Sequence, residues 1–165
     1  MIVRRADRDD IPIVRDLRLK ALTDAPDAFA STYDRELART EADWERWLSP
    51  GVTFLVEEAH RPVGLVAGKH DDADPAVVHL MAMWVHPSAR GTGAGDALVK
   101  AVVEWAREVG AVKVRLHVVI ENMAARRLYE RHGFVPGGRG DELLCDGRIE
   151  MRMERAVERR VPEGD

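Results

Sequence analysis

The chain has 165 residues, enough for a single domain with one continuous core, and its 45% hydrophobic and 33% charged residues are a globular balance. Its 25 Lys and Arg are interspersed with 29 Asp and Glu for a net charge of −4. That pattern excludes the clustered basic face of a duplex nucleic-acid binder and is compatible with a cationic substrate. No run of 18 apolar residues is present and the start, MIVRRADRDD, turns acidic at once, so neither a membrane span nor a signal peptide is expected. Cys145 is the only cysteine, which rules out an internal disulfide or a multi-cysteine zinc site and suits a reducing, cytoplasmic setting. It reads as a small buried or idle thiol.

Ile2 to Arg5 is a short predicted strand. Asp7 to Asp10 then supply capping carboxylates, Pro12 fits a first helical turn, and Ile13, Val14, Leu17, Leu19 and Leu22 carry a helix to about Leu22. Ala25 to Phe29 breaks it. A second helix is expected over Thr32 to Arg39, and Thr40 with Asp43 forms a capping box for a third carrying Trp44, Trp47 and Leu48. After the Ser49-Pro50-Gly51 turn, Val52 to Glu57 and Pro62 to Lys69 read as a hairpin. A loop at Asp71 to Pro75 leads into a strand over Val77 to Val85, the loop HPSARGTGAG, and an amphipathic helix from Asp96 to Val109 stopped by Gly110. Val112 to Val119 is the next strand, and Asn122 to His132 the last helix, stopped by Gly133. Phe134 to Gly138 and Arg148 to Glu154 close the domain as strands, with a hairpin turn at Asp146-Gly147. This order predicts one α/β domain over 1–157, a mixed sheet with helices on both faces, and a charged, loose tail over 158–165.

Two clusters carry chemistry. Arg90-Gly91-Thr92-Gly93-Ala94-Gly95 lies between a strand and a helix, where glycines let backbone approach a ligand closely and the free N–H groups at the helix start, near Asp96, suit a diphosphate. Arg90 can add a charge-assisted contact or pin the loop. The spacing fits neither the G-x-G-x-x-G dinucleotide fingerprint nor a phosphate loop ending in Gly-Lys-Ser/Thr. The second cluster is Asn122, Ala125, Leu128, Tyr129 and Gly133-Phe134. Singly, Asn122 reads as a helix cap and Tyr129 as a core aromatic.

Together, R-x-x-G-x-G after one strand and N-x-x-A-x-x-L-Y-x-x-x-G-F after the next resemble the GNAT superfamily of N-acetyltransferases. The likeness covers Val77 to Val135 by motif and the whole chain by order of elements, more loosely over the first 50 residues. It implies the acyl-CoA N-acyltransferase fold, whose fourth and fifth strands splay apart. The pantetheine arm of acetyl-CoA would bond the backbone of Met83, Trp84 and Val85, next to a bulge. The diphosphate would lie on N–H groups from Gly91 to Asp96, Asn122 would bond the arm from the other side, and Ala125 would leave room for it. Arg126, Arg127 and Arg131 are candidates for the adenosine 3′-phosphate.

An amine acceptor must lose a proton before it attacks a thioester, and the leaving thiolate needs one back. Tyr129 matches the family's tyrosine, beside the CoA sulfur, as general acid. The family's glutamate base, where present, falls at His79, which is expected to share one strand face with Met81 and Met83. Glu57 and Glu58 are reserve bases. Phe29 and Tyr33, with Trp44 and Trp47, are placed at the acceptor pocket or in core packing. No histidine spacing suggests a metal, and no nucleophile turn suggests an acyl-enzyme. Transfer is therefore expected within a ternary complex, to a small-molecule amine in preference to a protein N-terminus or lysine. A non-catalytic acyl-CoA sensor is the alternative, and by analogy with relatives a homodimer is possible.

Overall fold

The structure, a computed structural model, describes residues 1–137, 142–144, 147–158 and 164. Gly138, Cys145, Asp146 and most of the tail, on which earlier expectations fell, lie outside them. Thirteen elements follow in order: β1 (Ile2–Arg5), α1 (Ile11–Asp24), α2 (Tyr33–Leu37), α3 (Glu41–Leu48), β2 (Val52–Glu58), β3 (Arg61–His70), β4 (Val77–Val85), α4 (Ala94–Glu108), β5 (Lys113–Val119), α5 (Met123–Arg131), β6 (Val135–Pro136), β7 (Glu142–Leu143) and β8 (Ile149–Ala156).

Local chemistry explains most boundaries. Asp7 and Asp10 form a capping box ahead of α1, and Asp10 also holds Arg4 in a two-bond ion pair at 2.7 and 2.8 Å. Thr32 caps α2, which is shorter than its sequence pattern, and Thr40 with Asp43 boxes the start of α3. In the β2–β3 turn Ala59 and His60 both take positive φ, the sign a two-residue hairpin requires, although neither is glycine or asparagine.

The sheet runs β1-β2-β3-β4-β5-β8-β6, and β7 also pairs with β8. All pairs are antiparallel except β4 with β5. One face carries Val78, Leu80 and Leu116 against Leu98, Val99, Val102 and Val103 of α4, with Tyr129 and Phe134 in the same core. The other carries Leu55, Leu65 and Trp84 against Val14, Leu17 and Ala21 of α1 and Trp44 and Trp47 of α3. Truncating a fully buried side chain such as Leu98 costs about 2–5 kcal/mol in a core of this kind.

One irregularity decides where function sits. Along β3 and β4, Leu65 pairs with Trp84 and Ala67 with Met81, so two residues of β4, Ala82 and Met83, oppose Val66 alone. Ala82 has φ +57, a β-bulge geometry that increases local twist. The extra residue reverses the faces: Val78 and Leu80 precede it on the α4 side, whereas Met83 and Val85 take that side after it. Met81 and Trp84 lie on the α1 side. His79, Met81 and Met83 therefore do not share one face as simple alternation predicted, because the bulge inserts one residue between Met81 and Met83.

Candidate active site

β4 and β5 pair at only three positions, Val77 with Lys113, Val78 with Val114 and His79 with Arg115. Beyond them β4 stays on β3 as far as Val85, and β5 stays on β8 as far as Val119. Two strands held by different partners must diverge, and a cleft of about 550 Å³ opens between them.

The glycine loop closes one side of this cleft. Gly91 and Gly93 have φ of +77 and +88, and Gly93 is the residue from which α4 starts. The helix begins at Ala94, two residues before the expected Asp96, and its first i to i−4 bond runs from Ala97 N–H to Gly93 at 3.0 Å. The N–H groups of Ala94, Gly95 and Asp96 thus have no acceptor within the helix, at its positive end. A Cβ on Gly95 would lie 3.2 Å from Leu128 Cδ2, so the missing side chain lets α4 and α5 approach. Arg90, Gly91, Gly93, Ala94, Gly95 and Asp96 all line the cleft. Thr92 does not line it; its hydroxyl donates to Ala89 O at 2.6 Å and braces the turn.

Arg90 pins the loop. It donates to Val85 O at 3.1 Å and to Asp24 at 2.5 Å, and Asp24 also accepts from the Trp84 indole at 3.0 Å. These bonds, Trp84's first, hold the Asp24 carboxyl below its ordinary pKa. Asp96 is compensated by His132 at 2.7 Å and Arg131 at 3.3 Å, with His132 the main cause of its lowered pKa. A carboxylate at the cleft mouth is thereby prevented from opposing an anionic ligand in full.

Met83, Trp84 and Val85 form one wall, and Asn122, Ala125 and Leu128 face them. Asn122 Oδ1 accepts from Ala125 N–H at 3.2 Å, which caps α5 and fixes the amide orientation. Its NH₂ makes no bond among the described residues and remains available to a ligand. Arg126 bonds back to Ile120 O at 3.0 Å, Arg127 is exposed outside the cleft, and only Arg131 of the three candidate arginines lines it.

Tyr129 is not one of the lining side chains. It is 6% exposed, packed edge-on against Phe134 with ring centroids 5.9 Å apart, and at this point the wall is made by Ala125 and Leu128. Burial raises its phenol pKa well above the ordinary value, so the hydroxyl keeps its proton.

A second cavity of about 340 Å³ shares Ala28 and Phe29 with the first. His79 lines it, with Nε2 2.6 Å from Asp71 Oδ1 and its ring stacked on His117 at 6.1 Å. Asp71 also accepts from the N–H groups of Ala73 and Asp74 at 3.1 and 3.0 Å; with His79 the largest cause, these hold its pKa at about 2. Across the cavity Arg18 is bonded to Glu36 through Nε and Nη2 at 3.2 and 3.1 Å, and Arg39 takes the other Glu36 oxygen. Burial pushes the Arg18 guanidinium below its ordinary range.

The structure brings Phe29 into both cavities and leaves Tyr33 outside them, 43% exposed at the start of α2. Trp44 is core, whereas Trp47 is mostly buried and touches the second cavity. Glu57 is held by Arg4 at 2.9 Å, and neither it nor Glu58 reaches a cavity. Sequence reasoning missed Asp71, Arg18 and Glu36. Arg18 had a signal, since it stands four residues from both Val14 and Leu22 and so interrupts the apolar stripe of α1. Among the described residues no group of three or more His, Cys, Asp or Glu is placed to hold a metal ion, and no helix is long and apolar enough to cross a membrane.

The fold is a mixed α/β sheet that forks between β4 and β5, with the unbonded helix-start N–H groups of α4 at the mouth of the fork. The sequence model of the acetyltransferase (GNAT) family matches residues 18–134, and the chain belongs to that family. A mycothiol acetyltransferase of Thermobispora bispora is 35% identical over 122 residues, 72% of this chain and 40% of that protein. An uncharacterized N-acetyltransferase of Methanocaldococcus jannaschii is 28% identical over 145 residues, 80% and 59% of the two. The chain thus spans well under two thirds of the length of these curated relatives. In fold it matches a GNAT-family acetyltransferase from Streptococcus pneumoniae with a TM-score of 0.79 at 21% identity, over 95% of this chain and 99% of that one. A Salmonella typhimurium protein solved with its cofactor acetyl-CoA matches at 0.79 and 19% identity, over 99% and 98%.

Proposed function

We propose that the protein transfers an acetyl group directly from acetyl-CoA to the amine of a small molecule, with both reactants bound together. The observation that carries the reading is the fork beyond His79 and Arg115, bulged at Ala82 and bordered by the helix-start N–H groups of Ala94 to Asp96. Those N–H groups suit a diphosphate, the backbone of Met83 to Val85 suits an added strand-like arm, and the Asn122 amide offers a donor opposite. When bound there, acetyl-CoA supplies an activated acetyl thioester.

His79 is the general base. An alkyl amine with a pKa of about 10.4 must shed a proton to attack. With Nε2–H given to Asp71, the other ring nitrogen presents its lone pair for that proton. The new N–C bond forms as the C–S bond breaks and the sulfur leaves as a thiolate; Tyr129, kept protonated by burial behind Ala125 and Leu128, can protonate it only once those two side chains move from between them. The 340 Å³ of the second cavity supports a small acceptor rather than a folded protein surface.

Thiol release from acetyl-CoA over a panel of small amines and peptides tests this. Small amines should be acetylated. Acetyl-CoA binding with no thiol released from any partner would instead indicate a sensor, and turnover of peptides alone would move the acceptor to protein.

A further inference from the structure

We infer that the acceptor cavity contains a carboxylate-binding site built on Arg18, so that the acceptor is an amine that also carries a carboxylate, an amino acid or a close analogue; this rests on the transferase reading above. Arg18 is 5% exposed and Glu36 1% exposed, so the pair sits in a poorly solvated wall. Two of the three Arg18 nitrogens are spent on one oxygen of Glu36, and Nη1 is buried without a hydrogen-bond partner. The other Glu36 oxygen is taken by Arg39. Two guanidinium groups therefore share one carboxylate, leaving an excess positive charge and an unsatisfied donor in a site where either is costly.

The rings of Phe29 and Trp47 lie 4.7 and 5.7 Å from the Arg18 guanidinium carbon and relieve some of that cost through their faces. They offer no acceptor for the Nη1 hydrogens. Lys69, which pairs in register with His79, adds a further cation to the cavity. Its charged lining is thus Arg18, Arg39 and Lys69 against Glu36 and Glu150, apart from the two histidines. One carboxylate restores balance, and its two oxygens match the planar donors of a guanidinium. The same cavity holds His79, which places base and anion site on one small ligand.

The test uses matched acceptors, amino acids and their primary amides, with the full chain and acetyl-CoA. Amino acids should be acetylated with kcat/KM at least about tenfold above their amides, expressed mainly in KM. Arg18→Gln should erase that advantage. In saturating CoA, an N-acetyl amino acid should raise the melting temperature and its amide should not, a measurement on the unaltered chain that stands even if R18Q fails to fold. Equal rates for acids and amides, or equal melting shifts including none for both, overturn the carboxylate site while acetyl transfer to other amines survives. Absence of any acetyl-CoA-induced melting shift overturns the transferase reading itself.

Discussion

The two halves of the proposed active site are built from different materials. The proposed coenzyme cleft has main chain and small residues at its narrow sides, Gly91, Gly93, Ala94 and Gly95 on one and Ala125 on the other, with larger side chains such as Trp84, Leu128, Arg90 and Arg131 around them. The proposed acceptor cavity carries charged and imidazole side chains held by one another, His79 on Asp71 and Arg18 on Glu36, beside Phe29, Trp47, Leu80 and Met81. Recognition by backbone tolerates change in side chains, because N–H groups are present whatever the side chains are. Side-chain networks can be changed residue by residue, so they carry selectivity.

Breaking one half at a time should separate the two in kinetics. The largest effect is expected from His79→Gln, which should lower kcat about 100-fold or more with the KM for acetyl-CoA unchanged, and should flatten the acidic limb of the pH–rate profile. A full-rate variant with the parent profile would remove His79 as base. If the Tyr129 phenol reaches the sulfur past Ala125 and Leu128, Tyr129→Phe should reduce kcat at least about tenfold; an unchanged kcat in thiol-release assays with chemistry shown to be rate-limiting would leave Tyr129 as a core aromatic. On the coenzyme side, Asn122→Ala should raise the acetyl-CoA KM about fivefold through loss of one hydrogen bond, and leave the acceptor KM in place. Equal changes in both KM values would mean that the halves are not independent.

Stability measurements sharpen the same contrast. Gly93→Ala forces a side chain into φ +88 and should cost about 1–2 kcal/mol, read as a lower melting temperature together with weaker acetyl-CoA binding. Asp71 has a folded pKa depressed to about 2, below its unfolded value. Its contribution is therefore present above about pH 4 and lost as pH falls from there through 2. Asp71→Asn should remove that part of the acid transition in a melting series. As a control in neither half, His60→Gly relieves a positive φ in the β2–β3 turn and should stabilise by about 1 kcal/mol without changing either KM.

Much of this molecule was legible before any coordinates. The helix caps at Asp7, Thr40 and Asn122, the strand over Val77 to Val85, and the glycine stops at Gly110 and Gly133 are local signals, and the structure places them within a residue or two. The fork followed from the GNAT resemblance rather than from any single residue. Sequence reading places Tyr33 with Phe29, Trp44 and Trp47 at the acceptor pocket or in core packing, yet α2 turns it to solvent. The net charge of −4 is compatible with a cationic substrate but names no partner, and the charged side chains lining the second cavity have the opposite excess.

Sequence by itself determined the elements, their order and the glycine turn ahead of α4, because caps, glycine conformations and hydrophobic periods act over a few residues. Tertiary structure alone decided the faces of β4 beyond Ala82, the pairing of His79 with Asp71, and the meeting of Arg18, Glu36 and Arg39 around a cavity that also holds His79. A bulge is one unpaired residue whose position depends on what both neighbouring strands bond to. A buried charge cluster depends on how far three separate segments are carried towards each other.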